Sequence, residues 1–223
     1  MIKQRELNFY ISRLESLFKN ISEPGGGRGF RFWHGLRVMT YVKNFLNNYP
    51  NYFFKKYKID RDVAIIAALF HDVGKVKAAN INKIIDYGSH GNLNHHKIGG
   101  EMISKILKNS KLSDEKITKI AQVISEQHGS EKHLPESLLV SDCDILDNCG
   151  LLKLWRTITY AAYQKRNVDR VWEYWEQENE FKKIKDEIQE MSFSPIKKVA
   201  MKRLKNLEKV IKAIKQEAEG KDF

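Results

Sequence analysis

Histidine and aspartate, two residue types that bind divalent metals, recur in this sequence at positions that continue apolar helical faces. The clearest case is the vicinal pair His71-Asp72, which ends the apolar stretch IDRDVAIIAALFHDVGKV. Two such side chains at the end of a buried helix could hold a metal ion that activates water for hydrolysis. An isolated His-Asp pair is more often a core histidine beside a helix-end carboxylate, so further ligands are needed to favour a metal site.

Four further candidates lie on other predicted helices, on faces that periodicity directs inward: His34, His95, His128 and Asp144. Imidazole and carboxylate without thiolate suit Mn, Fe, Co, Ni or Zn as a non-structural ion. His96 lies about 100° round the helix from His95 and is the weaker candidate. Spacing alone leaves two equal alternatives, a metal site and a set of core histidines with a polar loop cluster.

The elements that would position these residues are all predicted to be helical, and no segment is predicted as a strand. Asp60, Asn94 and Ser113 are the predicted N-caps, and Gly74 is expected to end the central helix in the left-handed conformation. Periodicity predicts helices over residues 3–21, 33–50, 60–72, 95–107, 113–128, 136–148, 151–166, 168–190 and 195–218.

Two glycine-containing or polar segments interrupt these helices. The stretch GGGRGFRF carries Arg28 and Arg31 but lacks the phosphate-loop pattern and a preceding strand, so a flexible linker is the favoured interpretation. The segment from Lys75 to Asn94 is expected to form part of a lid or rim. Trp155, Trp172, Tyr174 and Trp175 are expected to pack in the core or against another subunit.

Composition limits the classes of protein to which the chain can belong. Its 223 residues are 42% hydrophobic and 30% charged, which predicts one globular domain over residues 1–223 without a membrane span. The charged opening MIKQRELNFYISRLE is unlike a secretory signal, and Cys143 and Cys149 fit neither a disulfide framework nor a thiolate metal site. We therefore expect a cytoplasmic protein with reduced cysteines.

The formal net charge of +11 would suit an anionic partner such as nucleic acid, a membrane surface or a phosphorylated small molecule. The excess is spread along the chain: residues 181–223 contain 12 Lys and Arg against 7 Asp and Glu, a net +5, without a block of one sign. A solvated lysine-rich surface is the favoured interpretation. Nucleic acid is therefore compatible with the sequence but not the favoured partner, and a homo-oligomer is also compatible with it.

Taken together, the motifs resemble the HD superfamily of metal-dependent phosphohydrolases. WHGLRV is similar to the first-histidine motif, AALFHDVGK to the central motif, HHKIGGEMI to a His-x-x-x-Gly-Ala-Glu helix start, and VSDCDILDNCG to the closing aspartate motif. The resemblance covers a motif core at 34–150, flanked by the N-terminal helix 3–21 and C-terminal helices 151–218. The final segment SFSPIKKVAMKRLKNL also looks like the last helix of small stand-alone members.

The resemblance implies an all-α bundle of about eight to nine helices that hydrolyses a phosphate ester or phosphoanhydride in a nucleotide or related metabolite, using a metal-activated water. The Gly-Tyr-Pro sequence of the cyclic-dinucleotide phosphodiesterase subtype is absent, and Gln127 stands where that subtype has a second histidine. Two alternatives stay open: a nucleotide- or nucleic-acid-binding module with a degenerate site, and a di-iron oxygenase on the same fold.

The resemblance also implies roles for individual residues. His34, His71, Asp72 and Asp144 match the metal ligands, and His95 and His128 match the extra histidines of members that bind two ions. Asp72, Lys75 and Arg37 are the candidate catalytic residues, and Lys75, Arg37 and Arg31 are the candidate contacts to substrate phosphate, for which Lys offers a point charge and Arg a fork.

Overall fold

The described part of the chain is predominantly helical, which confirms the predicted all-α class. The computed structural model describes residues 2–128, 132–167, 174–175 and 179–223. Ten α-helices lie within them, more than the eight or nine expected because the predicted lid segment contains the short α4. They are α1 (Gln4–Phe18), α2 (Phe30–Asn48), α3 (Arg61–Phe70), α4 (His90–Leu93), α5 (His95–Leu107), α6 (Asp114–Glu126), α7 (Pro135–Asp147), α8 (Leu151–Tyr163), α9 (Glu180–Glu190) and α10 (Ser194–Ala218).

Residue contacts group the chain into two compact units, one comprising Met1–Glu23 and Gly27–Cys143 and the other Pro24–Gly26 and Asp144–Phe223. The first unit is built around α3, which is buried from Asp62 to Phe70 and packs against α1, α2 and α6. A helix that is apolar on all sides must be enclosed by other elements, as α3 is. α5 packs against α6 and against a 3-10 helix at Val73–Ala78 that follows α3.

A small hairpin corrects the prediction that the chain has no strand. Ser22–Glu23 (β1) pairs antiparallel with Gly27–Arg28 (β2), with Ser22 opposite Arg28. Strands of two residues are too short to show alternating polarity, so periodicity could not reveal them. The glycine-rich stretch is therefore an ordered turn, and Gly25, Gly27 and Gly29 supply its positive φ angles.

Two predicted helix starts are confirmed by side chains that cap the helix. Asp60 accepts hydrogen bonds from the Asp62 and Val63 amides, and Ser113 accepts one from Lys116, which confirms both caps. Asn94 is the N-cap residue of α5 as predicted, but its side chain makes no capping bond and instead donates to the His90 carbonyl.

The prediction that Gly74 adopts the left-handed conformation is wrong. Gly74 lies inside the 3-10 helix at Val73–Ala78, and it is not among the residues with positive φ. The chain continues from α3 into this helix without needing a left-handed residue. Glycine is required here for space instead, because a Cβ atom at Gly74 would lie 1.9 Å from the His95 carbonyl oxygen.

The second unit is organised by α10, which packs against α8 and α9. Its apolar stripe is buried as the sequence predicts, at Ile196, Ala200, Leu204, Leu207 and Ile211. Trp175 is fully buried, whereas Trp155, on α8, is 68% exposed and is therefore not a core residue. Trp172 and most of residues 168–179, the first part of the helix predicted over 168–190, lie outside the described residues.

None of the helices in the described ranges combines the length and the apolar character needed to cross a bilayer.

Candidate metal centre

The His71-Asp72 pair lies where α3 passes into the 3-10 helix. α3 ends at Phe70, and His71 keeps helical dihedral angles while Asp72 departs from them with φ −97° and ψ 10°. Both residues are buried, with 0% and 4% of their surface exposed. The end of the central helix therefore presents an imidazole and a carboxylate side by side inside the first unit, as the sequence predicted.

His34, from α2, meets His71 inside this unit. Their Nε2 atoms are 3.0 Å apart, and Asp72 Oδ2 lies 3.6 Å from Nε2 of His34 and 3.7 Å from that of His71. His71 Nδ1 donates to the Ala68 carbonyl oxygen at 2.8 Å, so in the neutral ring Nε2 carries a lone pair. The buried amide of Gln127 donates to the His71 carbonyl at 2.6 Å and helps to fix the backbone there.

The other carboxylate oxygen of Asp72 faces a second pair of histidines. His95, at the start of α5, has its Nε2 3.1 Å from Asp72 Oδ1, and the metal-binding atoms of Asp72, His95 and His128 all lie within 4.8 Å of one another. His128 is exposed, contrary to its predicted inward direction, because α6 ends at Glu126 and helical periodicity no longer applies beyond it. It nevertheless reaches the cluster.

The Asp72 carboxylate lies among positively charged side chains. Lys75 Nζ lies 3.2 Å from Oδ2, and Arg31 Nη1 donates to the same oxygen at 2.5 Å. Burial acts to raise the pKa of Asp72, but the charges of Lys75 and Arg31 outweigh it and hold that pKa well below its usual range. Asp72 is therefore a carboxylate at neutral pH, as a metal ligand must be.

Arg31 is itself held by a second buried carboxylate. Its Nε and Nη2 groups donate to the two oxygens of Glu23, and the Tyr87 hydroxyl donates to Glu23 Oε1 at 2.6 Å. Arg31, expected at a substrate phosphate, thus contacts Glu23 and Asp72. Sequence reasoning missed Glu23 and Tyr87, since neither continues an apolar stripe or belongs to a recognisable motif.

The donor set fits a divalent transition metal. His71 and His95 each donate Nδ1–H to a backbone carbonyl, at Ala68 and Asn92, which is how metal-binding histidines are usually oriented. Asp72 Oδ1 and His95 Nε2 are buried, yet within the described part of the chain neither finds a hydrogen-bond partner. Two facing acceptor atoms are unfavourable unless a cation or a proton lies between them, so a bound cation would satisfy both.

A family model for the HD domain matches residues 31–149, which is more than half of the 223-residue chain. The chain belongs to the HD domain family. HD superfamily proteins are generally metal-dependent hydrolases, in agreement with the donor set described above. A comparison with curated proteins gives no match.

Several solved structures share the fold over nearly the whole chain. Bacillus subtilis YpgQ has a TM-score of 0.66 at 17% identity, with 100% of each chain covered. YpgQ in complex with ADP gives 0.62 at 18% identity, covering 95% of this chain and 100% of that one. A predicted HD superfamily hydrolase from an uncultured Thermotogales bacterium gives 0.59 at 18%, covering 95% and 92%. At these identities the likeness shows the fold.

Two further residues assigned to the HD site from sequence are Arg37 and Asp144. Arg37 is half-buried on α2, with its guanidinium carbon 5.6 Å from the centre of the Phe30 ring. Asp144 is half-buried on α7, where its carbonyl accepts a hydrogen bond from Asn148. Their roles as phosphate contact and metal ligand stay predictions.

His96, the weaker candidate by periodicity, lies beside His95 and His128. Its ring centre is 5.8 Å from that of His95 and 6.2 Å from that of His128. Burial lowers the pKa of His96, so the ring is neutral at neutral pH. In the sequence, the position of His96 next to His95 at a helix start was the signal that could have placed it near the site. Helical periodicity assigned it to a different face, so His95 was favoured.

Proposed function

We propose that this protein is a metal-dependent phosphohydrolase that cleaves a phosphate ester or phosphoanhydride bond in a nucleotide or a related phosphorylated metabolite. The observation that carries the proposal is the position of the Asp72 carboxylate. One of its oxygens faces the His34–His71 pair, and the other faces His95 beside His128. A carboxylate between two groups of imidazoles is suited to bridging two cations.

The proposed ligands follow from this arrangement. Divalent ions held there would supply Lewis acidity, both to make water more acidic and to neutralise charge on the phosphoryl oxygens. The protein contributes fixed imidazole orientations and a buried, ionised Asp72. We propose that the first ion is bound by His34, His71, Asp72 and Asp144, and the second by Asp72, His95 and His128.

Lys75 is the proposed contact for the transferred phosphoryl group. Its ammonium lies 3.2 Å from Asp72 Oδ2, and its side chain is 12% exposed, so it offers a positive charge at the edge of the cluster. Arg37, beside Phe30 on α2, is the second proposed phosphate contact, with a planar fork that matches phosphate oxygens. The complex of YpgQ with ADP supports a nucleotide as the substrate class.

A substrate screen tests the reaction class. The purified protein, loaded with Mn²⁺, is incubated with nucleoside mono-, di- and triphosphates and with model phosphodiesters, and phosphate release or product formation is measured. We expect turnover of at least one of these and its loss on chelation. Absence of any turnover, with bound metal confirmed, would count against the proposal. Oxygen consumption by the iron-loaded protein without phosphate release would favour a di-iron oxygenase instead.

Metal content tests the two-ion arrangement. We expect His95→Ala and His128→Ala each to lose about one equivalent of metal per chain, because each removes a proposed ligand of the second ion. His133→Ala is the matched control, since His133 has a 67% exposed side chain in a loop and pairs with Glu126. Unchanged metal content with lost turnover would instead assign His95 and His128 to substrate binding or proton transfer.

A further inference from the structure

Glu23, Arg31 and Tyr87 form a hydrogen-bonded chain that ends on the Asp72 carboxylate. We infer that the Glu23–Arg31 pair is a positioning device that fixes the orientation of Asp72 and thereby sets the metal affinity of the site. The inference rests on the proposed function, because it takes Asp72 to be a metal ligand. It assigns Arg31 a role different from the substrate contact expected from sequence.

The geometry of the guanidinium supports this role. Arg31 donates through Nε and Nη2 to the two oxygens of Glu23, and through Nη1 to Asp72 Oδ2 at 2.5 Å. A bidentate contact fixes the plane of the guanidinium, and the plane fixes the direction of Nη1–H. Asp72 Oδ2 is thereby held toward Arg31, and the remaining oxygen, Oδ1, is turned toward His95.

The environment of Arg31 argues against a direct contact with substrate phosphate. Its residue surface is only 7% exposed, and that of Glu23 is 4% exposed. Three N–H groups of the guanidinium are directed at carboxylate oxygens, and the carboxylates of Glu23 and Asp72 would repel an incoming phosphate. A lysine could not reproduce this arrangement, because an ammonium lacks the planar fork that spans two carboxylates.

Glu23 is held from a second side by the polar segment that follows the 3-10 helix. The Ser22 amide donates to the Lys83 carbonyl at 2.8 Å, and the Ile85 amide donates to the Ser22 carbonyl at 2.9 Å. Tyr87, two residues further along, bonds the Glu23 carboxylate. The segment expected to act as a lid or rim therefore anchors strand β1 and, through Glu23, the guanidinium.

The test compares metal affinity with steady-state kinetics. We expect Glu23→Gln and Arg31→Lys each to raise the Mn²⁺ dissociation constant, measured by calorimetry, about 10- to 100-fold, as supporting residues of metal sites do. At saturating Mn²⁺ kcat should fall while KM stays the same. Tyr87→Phe, which removes one hydrogen bond, should raise the dissociation constant about 2- to 10-fold.

Controls separate positioning from general damage. Arg28→Gln alters an exposed arginine of strand β2 and should leave metal affinity and kcat unchanged. The double variant Glu23→Gln/Arg31→Lys should bind Mn²⁺ no more weakly than the worse single variant, because the two residues act as one unit. Circular dichroism verifies that each variant folds. If Glu23→Gln does not fold, Tyr87→Phe still tests the inference.

Two results would overturn the inference, and they are distinguishable. If the unmodified protein binds Mn²⁺ and the variants bind it equally well but show a raised KM, Arg31 contacts substrate and the positioning role is wrong while the proposed function stands. If the unmodified protein binds neither Mn²⁺ nor any other divalent metal, the proposed function fails and this inference fails with it.

Discussion

Asp72 is the residue on which the candidate site depends most, because its two oxygens face different groups. Arg31 and Lys75 contact Oδ2, and His95 faces Oδ1. Its carboxylate lies between the two histidine pairs, so few neighbouring residues could take its place. A change at Asp72 should therefore affect metal binding before it affects folding.

Asp72→Asn should abolish high-affinity metal binding, because asparagine keeps the shape of aspartate but offers a neutral amide in place of one oxygen. We expect turnover to fall by more than the roughly 10- to 100-fold typical of residues that only support a ligand. Metal analysis, phosphate release and circular dichroism together measure the effect. Asp86→Asn, in an exposed turn, should change none of the three. A variant with normal metal content and rate would show that the central motif was misinterpreted.

The closing aspartate motif gives a ranking between two neighbouring residues. We expect Asp144→Ala to weaken metal binding and turnover more than Asp142→Ala, because Asp144 matches the family ligand. Asp142 is 3% exposed and is expected to act as a supporting or capping group. Calorimetric titration with Mn²⁺ compares the two proteins. The opposite ranking would move the ligand by two residues along α7.

At the scale of the elements, the approach of the 3-10 helix to α5 brings His95 to Asp72. Gly74 permits this approach, since an added Cβ atom would lie 1.9 Å from the His95 carbonyl oxygen and 2.7 Å from the Gly99 amide nitrogen. Both of these neighbours are backbone atoms, which cannot move aside by a change of rotamer. The start of α5 would have to shift as a whole.

Gly74→Ala is therefore expected to destabilise the protein by about 1–3 kcal/mol and to lower its metal content, because His95 moves away from Asp72. Urea denaturation and metal analysis measure the two effects. Gly88→Ala is the matched control: a Cβ atom at Gly88 would meet Asp86 Oδ1 at an ordinary 3.6 Å. Equal stability and metal content in the two variants would contradict the proposed spatial requirement at Gly74.

Asp62 links three segments of the first unit. Its Oδ1 accepts from the Ile2 amide at 2.9 Å, and its Oδ2 accepts from Lys116 of α6 at 3.0 Å. Burial acts to raise the pKa of Asp62, but the bonds from Ile2 and Lys116 outweigh it and lower that pKa below its ordinary value. The stabilisation is thus complete above the unfolded-state pKa of about 3.9 and is lost as pH falls through the folded-state pKa.

Asp62→Asn should lower the free energy of unfolding at pH 7 by about 1–2 kcal/mol, and the difference from the unmodified protein should shrink below about pH 4. Urea denaturation at several pH values measures this trend. Asp114→Asn, exposed in the first turn of α6, should differ from the unmodified protein by less than about 0.5 kcal/mol throughout. A pH-independent effect at Asp62 would contradict an electrostatic role for that residue.

At the scale of the whole molecule, part of the net charge of +11 is concentrated on α10 in the second unit. One face of α10 forms a shallow depression whose lining includes five lysines. They are Lys197, Lys198, Lys202, Lys205 and Lys209. A lysine-lined helix face attracts polyanions without reading their sequence, and this attraction weakens steeply with salt.

We expect duplex DNA to bind weakly at about 0.05 M salt and to dissociate by about 0.2 M, as a few non-specific phosphate contacts would. Replacing Lys198, Lys202 and Lys205 by glutamate should remove this binding and leave phosphate release unchanged. Fluorescence anisotropy across a salt series measures the affinity. Binding that persists at about 0.2 M salt would favour a dedicated nucleic-acid-binding module.

The sequence by itself determined most of the helices and the position of the central His71-Asp72 pair, because the signals involved are local. Periodicity and the Asp60 cap specify α3, and the cap, the helix and the His71-Asp72 pair all fall within 13 consecutive residues, from Asp60 to Asp72. The same local pattern identified His34 and His95 at helix starts. Hydrogen bonds within one helical turn and the burial of one helix face depend on residues close in sequence, so both can be predicted from a short segment.

The tertiary structure alone decided which groups surround the pair. Arg31 reaches Glu23 across 8 residues and Asp72 across 41, and Tyr87 reaches Glu23 across 64, so no local pattern could connect them. The same applies to Gly74, which is required by the distant His95 carbonyl and not by its own dihedral angles. The orientation of a buried carboxylate depends on partners that only folding brings together, so the sequence alone does not reveal it.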